Sequence, residues 1–125
     1  MIYGVGTDLL RVSRMQLAYQ RRGERLPRRI LHPAEQARYR AGERAPNFLA
    51  KCFAVKEATV KALGTGFHGV GYNEVGWVQD ARGKPELVFS PRLAGWMREQ
   101  GAAGGHVSLS DEGDFVLAFV VLLRV

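Results

Sequence analysis

The 125-residue sequence predicts an α+β fold in which helices pack on an antiparallel sheet. One observation is the order of segments, which runs strand, helices, strands, helix and strands. A second is that two pairs of candidate strands are each joined by a turn-forming segment, as in antiparallel hairpins. The length, in turn, is near the commonest size of one domain. We therefore treat residues 1–125 as a single domain.

The first half of the chain predicts one strand followed by basic helices. The opening MIYGVG alternates and runs into Thr7-Asp8, which indicates a short strand that ends in an acidic turn with Asp8 at its carboxyl end. Helices are predicted over residues 13–20 and 33–41, and both are rich in arginine.

The central segment NFLAKCFAVKEATVKALGTG predicts the most distinctive helix. Asn47 is the expected N-cap, and Gly64 stands where a glycine commonly ends a helix. Lys56 interrupts the apolar stripe that should face the core. Glu57 and Lys61 lie four residues apart at the margin of that stripe, so their side chains stack. The simplest interpretation of this pair is an exposed contact worth ~0.3–0.5 kcal/mol. The core-facing stripe comprises Leu49, Cys52, Phe53, Val60 and Leu63.

The second half predicts two hairpins separated by a helix. Strands over residues 74–79 and 86–89 flank a turn at 80–85, and strands over 106–110 and 115–125 flank a turn at 111–114. Between the hairpins, Ser90-Pro91 opens a helix that Gly101 ends. The final strand is apolar on both faces. We therefore expect helices to cover one face, and either more core or another subunit to cover the other.

Composition narrows the class of protein. Eighteen Lys and Arg against twelve Asp and Glu give a net charge of +6, with much of the excess between Arg11 and Arg44. This favours an anionic partner, which charge alone leaves open among nucleic acid, a phosphorylated small molecule and an acidic protein. The single cysteine, Cys52, excludes an internal disulfide and fits a reducing cytosol. The longest apolar run, residues 115–123, is too short to span a bilayer, so we expect a soluble cytoplasmic protein without membrane contact.

Several residues indicate phosphate and metal chemistry. Asp8 and Glu57 offer the hard oxygen ligands that Mg²⁺ prefers, and Mg²⁺ commonly uses only one or two protein carboxylates. Lys56 and Lys61 are candidates for neutralising phosphate oxygens. The glycines of Gly64–Gly66 allow close approach of a ligand to backbone N–H groups. The competing interpretation of this GTG sequence is an ordinary helix C-cap and turn.

Three other features have a structural interpretation beside a functional one. His106 begins a predicted strand, where a packed or hydrogen-bonded histidine is the more common case. Cys52 lies on the apolar stripe and is interpreted as a small core residue. The pairs Arg21-Arg22 and Arg28-Arg29 are typical of solvated helix faces, but their number favours a docking surface.

Four motifs in order, GVGTDLLRVSR, FLAKCFAVKEATVKALGTG, GKP and HVSLSDE, resemble those of the holo-[acyl-carrier-protein] synthase family. These proteins are small 4′-phosphopantetheinyl transferases. The resemblance implies transfer of the phosphopantetheine arm of coenzyme A to a serine of apo acyl carrier protein in fatty acid biosynthesis. The other product would be adenosine 3′,5′-bisphosphate. It also implies a homotrimer with active sites at subunit interfaces.

The resemblance also assigns roles to residues of this chain. It places Mg²⁺ on Asp8 and Glu57 and charge neutralisation of the pyrophosphate on Lys61, with Glu57 as the best candidate for the base. Arg14 would meet the acidic carrier protein, and Arg21 and Arg25 extend the same basic surface. The predicted coenzyme A site comprises Gly64, Thr65, Lys84, Pro85 and His106, together with the phosphate-binding candidates Lys56, Lys61 and Gly66.

One position departs from the family pattern. Cys52 stands where the family commonly has arginine, which predicts weaker coenzyme A binding and an unchanged reaction, unless Lys51 or a nearby arginine supplies the charge. A catalytically weak relative that retains carrier docking is one alternative. A small basic nucleic-acid-binding module is the other, but the chain lacks the aromatic cluster of single-strand binders, so no nucleic acid partner is expected.

Overall fold

The computed structural model describes residues 1–42 and 46–125 and has the predicted α+β architecture of helices on an antiparallel sheet. Within these ranges no helix combines the length and the hydrophobicity needed to cross a membrane. A 3₁₀ turn spans Tyr72–Glu74. The helices and strands are β1 (Ile2–Arg11), α1 (Val12–Arg22), α2 (Arg25–Ile30), α3 (Pro33–Arg40), α4 (Pro46–Leu63), β2 (Val75–Gln79), β3 (Pro85–Phe89), α5 (Pro91–Glu99), β4 (Ala102–Glu112) and β5 (Phe115–Arg124).

The described strands form a three-stranded antiparallel sheet in the order β1-β5-β4 and a separate β2-β3 hairpin. Alternate residues of β5 point to opposite faces of the sheet. The inward set is completely buried beneath α4 and consists of Val116, Ala118, Val120 and Leu122. This inner face and α4 together form the centre of the hydrophobic core.

Two glycines of β1 allow α4 to lie directly on the strand. A Cβ atom at Gly4 would be 2.0 Å from the carbonyl oxygen of Ala62, and one at Gly6 would be 1.9 Å from that of Ala58. Any larger residue would push the helix away, because real Cβ atoms do not approach oxygen so closely. Asp8 continues the same period-two series, so its side chain leaves β1 on the face that α4 covers.

The observed elements correct two sequence predictions and add one helix. β1 does not end at Asp8, because its pairing with β5 continues to Arg11. Asn47 is not an N-cap. It lies inside α4, and its side-chain amide donates to Asp111 at 2.5 Å. The helix α2 was not predicted. Its Pro27 is compatible with a helix because it occupies the first turn, where backbone N–H groups have no intrahelical acceptor.

The outer face of the sheet exposes an apolar patch on β5 and β1 in the single chain. Leu9 pairs with Leu117 in the sheet register, and Phe119 lies beside them on the same face. Their exposed fractions are 64%, 38% and 41%. The prediction that the last strand is covered on both faces is therefore met on the inner face, and the chain itself leaves the outer face open.

Candidate active site

A cavity of about 660 Å³ contains both predicted metal ligands. Asp8 enters it from β1 and Glu57 from α4, and each carboxyl group is partly buried. The strand and the helix bring the two residues together because the glycines of β1 allow α4 to approach. Among the described residues, no group of three or more His, Cys, Asp or Glu side chains could hold a metal ion. Any cation in this cavity would therefore need water or substrate oxygens to complete its ligands.

Lys61 lies at the rim of the same cluster. It is one helical turn beyond Glu57, and its Nζ donates to the carbonyl oxygen of Thr7 at 2.9 Å and to Oδ1 of Asp8 at 3.4 Å. About half of the Lys61 side chain is exposed, whereas only 15% of the Asp8 side chain is. The ammonium group is thus held beside the carboxylates and remains accessible to an anionic ligand.

The electrostatics of the two carboxyl groups are those of a site built for positive charge. Burial raises the pKa of Asp8 above its ordinary value, although Lys61 and Arg14 oppose the shift. Burial is also the main reason that the pKa of Glu57 is raised, and repulsion from Asp8 adds to it. A cation between the two groups would relieve both the desolvation of the carboxylates and their mutual repulsion.

The rest of the cavity is apolar with a basic margin. Arg14 and Arg22 of α1 and Arg29 of α2 line it. The sequence analysis singled out Arg14 but gave Arg22 and Arg29 no separate role. The helical spacing of Met15, Ala18 and Arg22 was the available signal for α1, whereas the unpredicted α2 hid Arg29. The apolar part of the lining includes Leu10, Met15, Ala18, Leu26, Ile30 and Phe53.

Lys56 does not lie in this cavity, and the prediction that it neutralises phosphate is wrong. Its side chain is completely buried on another face of α4, where Nζ donates to Oε1 of Glu35 and to the carbonyl oxygen of Val75, both at 2.5 Å. Glu35 also accepts from the backbone N–H groups of His32 at 3.0 Å and Trp77 at 3.1 Å. Lys56 therefore joins α3, α4 and β2 and has no access to an external ligand.

The loop after α4 has the geometry of a helix C-terminus. Gly64 has φ of 80°, and its N–H group donates to the carbonyl oxygen of Val60 at 3.0 Å, which confirms that this glycine ends the helix. Gly66 also has a positive φ of 60°. Neither these glycines nor Thr65 lines the cavity. Their proposed contact with phosphate stays a prediction.

An aromatic stack connects this loop to the cavity. The ring of Phe67 lies 4.1 Å from that of Tyr72, and Tyr72 lies 5.8 Å from Phe53. Both Phe53 and Tyr72 line the cavity beside Glu57. The sequence analysis placed Phe53 in the core stripe and gave Tyr72 no role, because the folding of a glycine-rich loop is not visible in periodicity.

The other predicted coenzyme A residues lie elsewhere in the single chain. Lys84 is exposed in the turn between β2 and β3, and Pro85 begins β3. His106 is exposed on β4, where it pairs with Val121 on the outer face of the sheet. None of the three lines the cavity of Asp8 and Glu57. Their contact with coenzyme A stays a prediction.

The position that departs from the family pattern is buried. Cys52 is inaccessible to solvent, and burial raises the pKa of its thiol well above the ordinary value, which confirms it as a core residue. The neighbouring Lys51 forms an ion pair with Asp111 at 3.2 Å. If Lys51 replaced the family arginine as the cation for coenzyme A, its ammonium group would have to be shared with Asp111.

The chain has extensive similarity to known proteins. A family model described as the 4′-phosphopantetheinyl transferase superfamily matches residues 4–120. The chain is 53% identical over 123 residues to the holo-[acyl-carrier-protein] synthase of Thiobacillus denitrificans, a match that covers 98% of this chain and 94% of that relative.

Solved structures agree with this result. The crystal structure of Neisseria meningitidis holo-[acyl-carrier-protein] synthase is similar with a TM-score of 0.94 at 43% identity, over 99% of this chain and 100% of that one. A Bacillus anthracis holo-(acyl-carrier-protein) synthase in complex with CoA (3′,5′-ADP) gives a TM-score of 0.80 at 31% identity, over 100% of this chain and 99% of that one. The chain therefore belongs to the 4′-phosphopantetheinyl transferase superfamily.

Proposed function

We propose that this chain is a cytoplasmic holo-[acyl-carrier-protein] synthase in which residues 1–125 act as one transferase domain. It would transfer 4′-phosphopantetheine from coenzyme A to a serine of apo acyl carrier protein during fatty acid biosynthesis, and release adenosine 3′,5′-bisphosphate. The observation that carries this proposal is the meeting of Asp8 and Glu57 in one cavity, with Lys61 bonded to Asp8 at its rim. Relatives that bear this name across almost the whole chain support it.

The paired carboxyl groups fit Mg²⁺. Asp8 and Glu57 supply hard oxygen ligands, and their raised pKa values reflect burial and repulsion that a divalent cation would offset. When bound there, Mg²⁺ would polarise the diphosphate of coenzyme A and stabilise the charge on its leaving group.

The protein side chains then have separate tasks. Lys61 is held by Thr7 and Asp8 and presents its ammonium group to the anionic diphosphate. Glu57 lies beside Asp8 and Lys61 at the cavity, and it would take the proton of the carrier serine directly or through one water molecule. The phosphate-facing roles of Gly64, Thr65 and Gly66 belong to the same proposal.

The basic helices fit docking of an acidic carrier protein. Arg14, Arg21 and Arg25 are exposed on α1 and α2, and Arg14 also lines the cavity. Positive charge at this margin would steer the carrier toward the carboxylates and bring its serine to the open side of the cavity. The docking helix α1 would therefore border the cavity that holds the carboxylates.

A homotrimer would explain the outer face of the sheet. That face exposes Leu9, Leu117 and Phe119, and His106 lies at its edge on β4. If another copy covers this face, His106 becomes part of an interface. Lys84, Pro85 and His106 would then meet coenzyme A from a neighbouring subunit and not within one chain.

The direct test is intact-mass spectrometry of apo acyl carrier protein after incubation with this protein, coenzyme A and Mg²⁺, with and without chelator. We expect a metal-dependent gain of one phosphopantetheine. Glu57→Gln should reduce the initial rate by at least ~100-fold, since general acid–base groups contribute about that much. Asp8→Asn should also reduce it, since it removes one of the two carboxylates that would hold Mg²⁺. Glu99→Gln, on an exposed carboxylate of α5, is the matched control and should react like the wild type.

Two outcomes would contradict the proposal. The first is an unmodified carrier in a reaction where the protein also fails to bind coenzyme A. The second is full turnover by Glu57→Gln, which would remove this residue from both of its proposed roles. Salt-sensitive binding to DNA by a protein that ignores coenzyme A would favour the nucleic-acid-binding alternative.

A further inference from the structure

The ion pair between Arg92 and Glu74 lies outside the cavity and has no part in the proposed chemistry. Arg92, at the start of α5, contacts Glu74, in the 3₁₀ turn, through two bonds. Nε donates to Oε2 at 2.7 Å, and Nη2 donates to Oε1 at 2.6 Å. This is the bidentate arrangement in which a guanidinium group fixes a carboxylate in both position and orientation.

Both partners also hold the loop that follows α4. Nη2 of Arg92 donates to the carbonyl oxygen of Gly69 at 2.6 Å, and Glu74 accepts from the N–H group of Gly71 at 2.9 Å. The hydroxyl group of Ser90 donates to Glu74 at 2.8 Å, which ties the same carboxylate to the beginning of α5. Hydrogen bonds to Arg92 and Glu74 therefore hold the end of the loop in place.

The loop that these contacts hold runs from the glycines after α4 to Tyr72 in the wall of the cavity. It starts at Gly64 and leads through Phe67 to Tyr72, whose ring contacts that of Phe67 and, on its other side, Phe53. Gly64, Gly66 and Gly69 all have positive φ, so this backbone adopts conformations that other residues rarely take and glycine takes freely. A loop with so much intrinsic freedom needs external contacts to hold one conformation.

We propose that Arg92, acting through Glu74, is a positioning residue that fixes residues 64–71 in the conformation that binds coenzyme A. The inference rests on the proposed function. Within the described residues, the side-chain hydrogen bonds of Arg92 go only to Gly69 and Glu74, and none goes to Asp8, Glu57 or Lys61. Substitution of Arg92 should affect coenzyme A binding, because the loop leads to Tyr72 in the cavity wall. The carrier surface on α1 and the cluster of Asp8, Glu57 and Lys61 are held by other contacts.

Steady-state kinetics of Arg92→Ala would test this inference. We expect the KM for coenzyme A to rise about tenfold, while kcat and the KM for the carrier stay within about twofold of the wild type. The Arg92 side chain is more than half exposed, so the variant should fold. Arg92→Lys keeps a cation but loses the bidentate fork, and it should recover part of the lost affinity. Arg98→Ala, another exposed arginine of α5, is the matched control and should leave all three parameters unchanged.

The outcomes separate this inference from the proposed function. An Arg92→Ala variant whose KM for coenzyme A stays within about twofold of the wild type overturns the positioning role alone. A lower kcat with comparable rises in both KM values, together with a lower unfolding temperature, would show a merely structural contact. That result would also overturn the positioning role. Absence of transfer by the wild-type protein in the same assay refutes the proposed function and the inference with it.

Discussion

Substitution of Lys56 by methionine should destabilise the fold strongly. Methionine retains an unbranched apolar chain but leaves the buried carboxylate of Glu35 without its cation and the carbonyl oxygen of Val75 without its donor. Removing one partner of a buried ion pair typically costs about 3–5 kcal/mol, because the other charge remains buried without compensation. That is a large part of the ~5–15 kcal/mol by which a domain is usually stable.

The loss can be measured by urea and thermal unfolding followed by circular dichroism at a fixed protein concentration. We expect the unfolding temperature to fall by about 10–20 °C in a chain of this length. The double variant Glu35→Gln/Lys56→Met is the informative control, since it buries no net charge and its amide oxygen still accepts a backbone N–H group. It should recover at least ~1 kcal/mol relative to Lys56→Met.

The reasoning fails if Lys56→Met loses less than about 1 kcal/mol, since a buried charge would then be tolerated without its partner. It fails equally if the double variant is less stable than the single one. In that case the loss would come from the packing of the lysine chain and not from the stranded carboxylate of Glu35.

Other predictions follow from the same contacts. Gly6→Ala should cost at least ~3 kcal/mol and reduce the transfer rate about 100-fold, because the new methyl group displaces α4, and unfolding and mass spectrometry would measure the two effects. Asp114→Ala should cost ~1–2 kcal/mol, because Asp114 accepts from the N–H group of Ser13 at 3.0 Å and from its hydroxyl group at 2.6 Å at the start of α1; an unchanged unfolding midpoint would contradict this. The bonds from Arg92 lower the pKa of Glu74 from 4.5 to about 2. The stabilisation by Glu74 is therefore present above pH 4.5 and lost as pH falls toward 2, so the difference in unfolding free energy between wild type and Glu74→Gln should narrow over that range.

Most of the fold was predictable because residues that begin and end helices are easily identified in this sequence. Ser90 caps α5 with a 3.1 Å bond to the N–H group of Leu93, and Gly64 ends α4 as expected. The failures occurred where tertiary contacts override local signals. Pairing with β5 extends β1 beyond Asp8, and the side chain of Asn47 bonds to Asp111 and not to its own helix.

The site divides in the same way. Glu57 and Lys61 were predictable because their four-residue spacing stacks their side chains, whereas Asp8 joined them as a hard oxygen ligand and through the family resemblance. The burial of Lys56 away from the cavity was not predictable, because it depends on Glu35, which belongs to another helix and lies 21 residues away. Tyr72 was hidden for a related reason, since the path of a glycine-rich loop is set by contacts with α5 and not by its own sequence.

The adjacent residues Lys56 and Glu57 show how one helix serves the core and the cavity together. Successive side chains of an α-helix point about 100° apart. Lys56 therefore faces the interior while Glu57 faces the cavity. The polar contacts of Lys56 to α3 and β2 resist rotation of α4 about its axis, whereas an apolar side chain would allow small rotations because apolar contacts have little directionality. The close approach of α4 to Gly4 and Gly6 limits its distance from β1. Rotation and distance together determine where the carboxylate of Glu57 lies relative to Asp8.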